Sequence, residues 1–427
     1  MSGKRWLQVS ILAAVATGTL ACKGDAPRTT STQADSAAVV RWEAPVAAAV
    51  ATNGGANASF VLSPSGRLSL GWISATDGGS DGRLYWQRDA RTGLGSTDTA
   101  AHNVSVLKDP LANFRIRGES PPKFAYANDS LLYVTYLVTK LVPNSKPQNA
   151  LRFVASKDGG KTWDMPSTVT PDSVFASYDD QSLVVATNGD VYLTWRREGK
   201  ADTSHVYFAS SSDGGRVWSK PHVVDSEASA CGQTSLAAGA DGALYLAWRK
   251  RFAGEVRDIV VARSTDAGAT WSLPVRVYHD EWQVNYCTGT GPSLKVSKNG
   301  IVHVAWYTGK LGRAGMQYAQ SSDGAKTFSK PGELNLAANA RPSHVQLVLD
   351  RDGVDGTVVA LWDDGTTPVP QVVMRVSRDG GKTFGVLQAV SALGVQAMFP
   401  MAVLRNDTLH VVWEERTMAG FNADSLV

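Results

Sequence analysis

An eight-residue stretch, SKDGGKTW from Ser156, returns four times: SSDGGRVW at Ser211, STDAGATW at Ser264, SSDGAKTF at Ser321 and SRDGGKTF at Ser377. Its aspartates, Asp158, Asp213, Asp266, Asp323 and Asp379, are separated by 55, 53, 57 and 56 residues. A fixed period of this size marks a propeller or a solenoid, in which each unit buries its apolar face against its neighbours. A second periodicity shows what each unit contains. Short alternating strands end in an aromatic at Trp72, Tyr136, Trp195, Trp248, Trp306, Trp362 and Trp413, most of them after a Gly or Asn-Asp turn suited to a tight hairpin. Another short strand precedes each, such as SLVVA at Ser182, and a third follows, such as VYFAS at Val206, leading into the box. Four strands per unit predict an all-β chain folded as a single β-propeller of four-stranded blades.

The box suits the hairpin between third and fourth strands. Its Asp accepts from turn N–H groups, its Gly residues supply φ > 0, and its Ser caps the turn. The terminal Trp or Phe folds beneath the turn as an anchor, and burying such a ring is worth roughly 2–3 kcal/mol. The GKT inside two copies lacks the earlier Gly and the following helix of a phosphate-binding loop. Seven countable second strands predict seven blades, with six as the alternative. The fourth strand carries an aromatic three residues before a Pro at Trp163, Trp218, Trp271 and Phe328, as an outer edge strand tolerates. The same mark stands at Trp42, and the sequence ends at NADSLV, about where a third strand begins. Residues 39–48 are therefore expected to supply the outer strand of the blade made by residues 396–427, closing the ring.

Of the 427 residues 43% are hydrophobic and 19% charged, with 40 Gly and 13 Trp, as suits a turn-rich β protein. A net charge of +3, with Lys and Arg scattered, excludes a nucleic-acid partner. Lys4, Arg5 and the apolar run Ile11–Ala21 read as an export signal too short to span a bilayer. Cys22, in GTLAC, sits where a bacterial lipoprotein signal places its lipidated cysteine. The likeness departs at Thr19, where Leu is preferred, so simple secretion is the alternative. Residues 1–22 are thus read as a signal, 23–38 as a flexible tether and 39–427 as the propeller. The expected location is the cell envelope, with membrane contact only through a lipid anchor and the protein a monomer. Cys231 and Cys287 then meet an oxidising compartment. They lie 17 residues before Trp248 and 19 before Trp306, equivalent places in adjacent blades. A disulfide pinning the two blades is expected; a catalytic thiol is the poorer alternative, since no His neighbours either Cys.

Repeated S-x-D-x-G-x-T-W boxes resemble the sialidase (neuraminidase) superfamily, where they are called Asp-box or BNR repeats, and the resemblance covers roughly residues 40–427. It implies boxes on the rim away from the ligand. Connectivity agrees: the box turns share one face, while starts of first strands and ends of second strands share the other. That second face collects Arg115, Arg117, Arg196, Arg249, Arg251, Arg341, Gln233, His344 and Tyr307 as candidate ligand-binding residues. Convergent arginines grip a planar carboxylate bidentately. The resemblance implies three such arginines, the first in a motif like Phe-Arg-Ile-Pro. FRIR at Phe114 matches it with Arg117 in the Pro place, Arg249 takes the second role and Arg341 the third. Against this stands the reading of each Arg as a rim charge paired with Asp363 or Glu414.

The resemblance also implies a Tyr nucleophile, an activating Glu and an Asp acid/base, and all three depart. The loop VTKLVPNSKPQNA holds no acid, Gln233 stands in the Glu place, and Met398 and Phe399 stand in the Tyr place. Tyr178 and Tyr286, with Asp179 and Asp180 as acids, are the remaining catalytic candidates. If the protein is an enzyme, the implied type is a glycoside hydrolase of exo-α-sialidase kind. No cofactor is expected; a Ca²⁺ at Asp179, Asp180, Asp363 or Asp364 competes with a plain solvated rim. Two functions follow. The first is a glycan-binding propeller, possessing altered glycosidase chemistry if catalytic. The second is a non-catalytic propeller docking an envelope protein.

Overall fold

The computed structural model describes residues 11–20, 40–42, 46–47, 56–74, 83–90, 104–111, 113–116, 118–170, 175–199, 203–230, 232–284, 286–336, 344–350, 356–405 and 408–416. Among these the chain is all-β, its one helical element a 3₁₀ turn at Ala253–Glu255. No helix among the described residues is long and apolar enough to cross a membrane. Antiparallel sheets follow one another along the chain. The first runs Ala56–Leu62, Leu68–Ser74, Arg83–Gln87, Val104–Leu107. The second runs Lys123–Tyr126, Leu132–Lys140, Gln148–Ser156, Ser167–Thr168, with Asn113–Phe114 also pairing on Leu132–Lys140.

An eight-stranded sheet holds Tyr178–Val185, Val191–Glu198, Thr203–Ser211 and His222–Ser229, then Ser235–Ala238, Leu244–Phe252, Val256–Ser264 and Val275–Arg276. Its halves join through one pair, Ala228 opposite Lys250. Two four-stranded sheets follow, Ser293–Val296 to Gly332–Leu336 and Val345–Leu349 to Gln388–Ala389. In the last sheet Gln396–Arg405 and Thr408–Arg416 are joined by Ile11–Leu20, on which Val40–Trp42 and Val46–Ala47 pair. Thus the apolar segment read as an export signal lies as a strand against Thr408–Arg416. The expected outer segment, 39–48, contributes the two short strands beyond it.

Second strands such as Val191–Glu198 are buried along almost their whole length, because each is covered on both faces by neighbouring sheets. Their terminal Trp195, Trp248, Trp306, Trp362 and Trp413 are fully buried. Each sheet's first strand packs on that of the next: Ala56–Leu62 on Lys123–Tyr126, then Tyr178–Val185, Ser235–Ala238, Ser293–Val296, Val345–Leu349 and Gln396–Arg405. Gln396–Arg405 in turn packs on Ala56–Leu62. Serines link three of these contacts. Ser182 Oγ accepts from Leu236 N (3.2 Å), Ser235 Oγ from Leu294 N (2.9 Å) and Ser293 Oγ from Leu347 N (2.9 Å). Edge N–H groups that no ladder reaches are thereby satisfied.

The boxes form tight turns. In the first, Ser156 Oγ donates to Asp158 Oδ1 (2.8 Å) and accepts from Gly160 N (2.7 Å). Asp158 also accepts from Lys161 N (2.9 Å), Thr162 N (2.9 Å) and Thr162 Oγ1 (2.6 Å). The Ser–Asp bond recurs at Asp213, Asp266, Asp323 and Asp379. The box aromatic reaches the third strand of the preceding sheet. Trp163 meets Trp86, Trp218 meets Phe153, Trp271 meets Phe208 and Phe384 meets Tyr318, all edge to face. Four of the boxes therefore fasten their own strands to the preceding group of four.

Candidate functional site

The ring of first strands surrounds a cavity of about 1260 Å³, lined by Phe60, Lys123, Ser182, Leu236, Lys295 and Leu347 among others. One end, the mouth, carries Asn57, Glu119, Gln233, His344, Phe399 and Glu414; the other carries Asn299, Asp350, Gly380 and Lys382. Three first strands begin at the mouth with the same irregularity. Register shifts fall between Ala56 and Ser59, Asp179 and Ser182, and Met398 and Met401. Each shift contains a left-handed residue: Asn57 (φ 57°), Asp180 (φ 55°) and Phe399 (φ 55°). Asn and Asp tolerate this conformation, but Phe does not, at a cost of about 1–2 kcal/mol. Bulges re-aim side chains, and backbone strain collects at binding sites.

The mouth is tied together by charge. Arg196, buried in Val191–Glu198, holds Asp180 through Nε (2.9 Å) and Nη2 (2.8 Å), donates to Ser204 Oγ (2.7 Å) and lies 3.6 Å from Asp179. Arg115 pairs with Asp179 (3.1 Å) and donates to Tyr178 O (3.3 Å). Asn57 links this group to the last sheet, donating from Nδ2 to Arg115 O (3.3 Å) and from its backbone N to Glu414 Oε1 (2.7 Å).

Opposite stands His344. Asp363, at the end of Val358–Asp364, accepts from His344 Nδ1 (2.7 Å), from its backbone N and from Phe399 N (3.2 Å). Burial lowers the imidazole pKa, but Asp363, with Glu119 and Glu414 beyond it, overcomes this and raises the value above its ordinary one. His344 is thus held toward its charged form, while its Nε2 is buried with no protein partner. The Phe399 ring lies 4.5 Å from the imidazole and rests on Gly118, where any Cβ would overlap it.

The other candidates divide. Gln233 binds loops together: Nε2 donates to Glu119 O (2.9 Å) and Gly289 O (3.2 Å), and Oε1 accepts from Gly291 N (2.7 Å). Arg249 is buried, donating to Arg257 O (3.1 Å) and Tyr307 O (2.7 Å) with its guanidinium 5.0 Å from the Trp282 ring. Burial lowers its pKa to about 10. Arg251 pairs with Glu255. Tyr178 is buried, and burial pushes the Tyr307 hydroxyl up to about 12, whereas Tyr286 is 56% exposed. Cys287 sits in the segment beside Gln233; Arg117, Arg341, Cys231 and the proposed lipidation site Cys22 lie outside the described residues. Asp364 accepts from Thr366 N (3.1 Å) and its hydroxyl (3.0 Å). Among the described residues no group of three or more His, Cys, Asp or Glu is placed to hold a metal ion.

Sequence reasoning missed Glu119, Lys123 and Lys295. The signal available was a lysine inside an otherwise apolar first strand, as in PSLKV at Lys295.

The recurring boxes and the antiparallel sheets around one cavity define an all-β chain of propeller type. Residues 111–290 match the BNR repeat-like domain. Among curated proteins no sequence matches significantly. The fold is similar to that of a polysaccharide lyase, the PL25 ulvan lyase, with a TM-score of 0.54 at 14% identity, covering 82% of this chain and 89% of that one. It is also similar to the Hadza microbial sialidase Hz136 (TM-score 0.46, 14% identity, 97% and 91% covered). A third likeness is the Penicillium chrysogenum α-L-arabinanase (0.48, 14%, 77% and 94%).

Proposed function

We propose that the protein is an exported propeller whose channel mouth binds a glycan. The observation that carries this is the trio of left-handed bulges at Asn57, Asp180 and Phe399, which brings polar groups and a ring to one opening. The strain retained at Phe399 is expected of a site held for binding rather than for folding. Ring stacking on Phe399 and hydrogen bonds to His344 Nε2, Glu119 and Glu414 suit a polyhydroxylated ring, and the ulvan lyase of similar fold is bound to a sugar chain. Among the groups at the mouth His344 is the proton carrier, with phenylalanine where the resemblance calls for tyrosine.

Seven blades complete the reading, the eight-stranded sheet counting as two, because the first strands pack in an unbroken cycle of seven. Export rests on the basic and apolar N-terminus, with Cys22 as lipid site; the pairing of Ile11–Leu20 is that of the unprocessed chain. A Cys231–Cys287 disulfide is supported by backbone proximity. A Cβ on Gly232 would lie 2.8 Å from Thr290 O, and Gly291 donates to Gln233.

Oligosaccharide binding and hydrolysis of a fluorogenic glycoside panel test the proposal, with His344→Ala and Phe399→Ala as variants. Binding weakened at least tenfold in both supports it, and turnover lost in His344→Ala makes the protein an enzyme. Absence of both binding and turnover from the folded wild type overturns it.

A further inference from the structure

Below the mouth the cavity wall changes character. Lys123 opens the first strand of the second sheet, and Lys295 lies in Ser293–Val296, and both line the lumen. Among the described residues neither ammonium has an ion pair or hydrogen bond. Lys295 is exposed toward the lumen. The two lysines feel one another. The nearest carboxylate to act on Lys123 is Asp180, which already holds Arg196 at 2.8 and 2.9 Å. At this depth the neighbouring strands present Phe60, Leu236, Leu347 and Ala402. His303, also on the wall, bonds Tyr318 Oη (2.6 Å), and burial lowers its pKa to about 4, so it is neutral.

Two like charges in one lumen cost free energy, and Asp180, the carboxylate that acts on Lys123, is already held by Arg196. Burial, with Lys295 adding to it, pulls Lys123 down to about 8, and burial lowers Lys295 as well. We propose that Lys123 and Lys295 form an oxyanion site inside the channel, taking a sulfate, phosphate or carboxylate group between their ammonium ends. The inference deepens the glycan reading, since a glycan seated at the mouth can deliver such a substituent downward; a free inorganic anion is the other source.

Inorganic sulfate is the first probe, read as thermal stabilisation of the purified full chain over sodium chloride of equal ionic strength. Wild type is expected to gain in melting temperature. Lys123→Met/Lys295→Met is expected to bind sulfate at least tenfold more weakly, yet to melt higher than wild type in anion-free buffer. Lys123→Arg/Lys295→Arg should retain the response, and Lys330→Gln, an exposed control, should leave it unchanged. A second arm compares a sulfated oligosaccharide with its desulfated form. Preference for the sulfated form, lost in the double Met variant, makes the anion glycan-borne; a lysine-dependent response to free sulfate alone makes it inorganic. Wild type without a sulfate-specific gain, or a double variant that keeps it, overturns the site. Glycan binding abolished nowhere by His344→Ala, with the sulfate response intact, overturns the mouth reading and leaves the site standing.

Discussion

Val261 and Ala325 occupy the places that four other boxes give to an aromatic ring and a glycine. Gly160 rests on Trp86, Gly215 on Phe153, Gly268 on Phe208 and Gly381 on Tyr318, each so closely that a Cβ would overlap the ring. Only where the preceding strands supply Val261 does the box carry alanine at this place, and the two share one core cluster. Ala325 keeps the left-handed turn at φ 65°.

Size complementarity across that contact is measurable. Gly215→Ala is expected to cost about 1–3 kcal/mol through the clash with Phe153, read from urea unfolding. Val261→Phe should cost a similar amount and be largely rescued by Ala325→Gly, with a coupling of at least about 1 kcal/mol in a double-mutant cycle. Independent, additive effects would show that the two positions do not touch energetically.

The box carboxylates set an acid limit. Bonds from the Thr270 hydroxyl and backbone hold Asp266 at about 2, below the ordinary 3.8. At Asp158 burial pushes upward but is outweighed by Thr162 and Ser156, again giving about 2. A depressed folded pKa contributes stability that is present above about pH 4 and lost as pH falls toward 2. Thr270→Val should return the Asp266 titration toward 3.8 by carbon-detected NMR; no movement would remove the hydroxyl as the cause.

Two histidines act in opposite directions. His344 has a raised folded pKa, so its contribution is full below pH 6.5 and fades as pH rises through the folded value. His303, lowered by burial to about 4, contributes above pH 6.5 and loses that stability as pH falls toward 4. Asp363→Asn should abolish the upward shift of His344 in a ring-proton titration, while the His303 shift persists.

Arg249 is expected to behave as part of the core. Its removal takes one donor each from Arg257 O and Tyr307 O and strips the face of Trp282. Arg249→Ala should destabilise by about 2–4 kcal/mol, whereas the exposed Tyr286→Ala should stay within about 0.5 kcal/mol. A folded, fully stable Arg249→Ala that loses only glycan binding would assign the arginine to the ligand instead.

Much of the architecture is written locally. Box, hairpin and strand each occupy fewer than ten consecutive residues, so turn chemistry and alternation are visible in SKDGGKTW or VYLTW without knowing their neighbours. The serine links were also present, as the Ser-Leu pairs at Ser182, Ser235 and Ser293, but their partners lie in the next sheet. Arginine content drew attention to the mouth, yet whether an arginine faces ligand or carboxylate depends on contacts such as Arg196 with Asp180, made across a bulge that no pattern announces.

The sequence by itself determined the repeat, the all-β class and the turn at each box, because these rest on short-range hydrogen bonding and on a period that the chain repeats. Only the tertiary structure decided which groups share the channel. Asp363 reaches Phe399, Asn57 reaches Glu414, and Lys123 comes within electrostatic reach of Lys295, since packing first strands in a cycle brings distant segments around one axis.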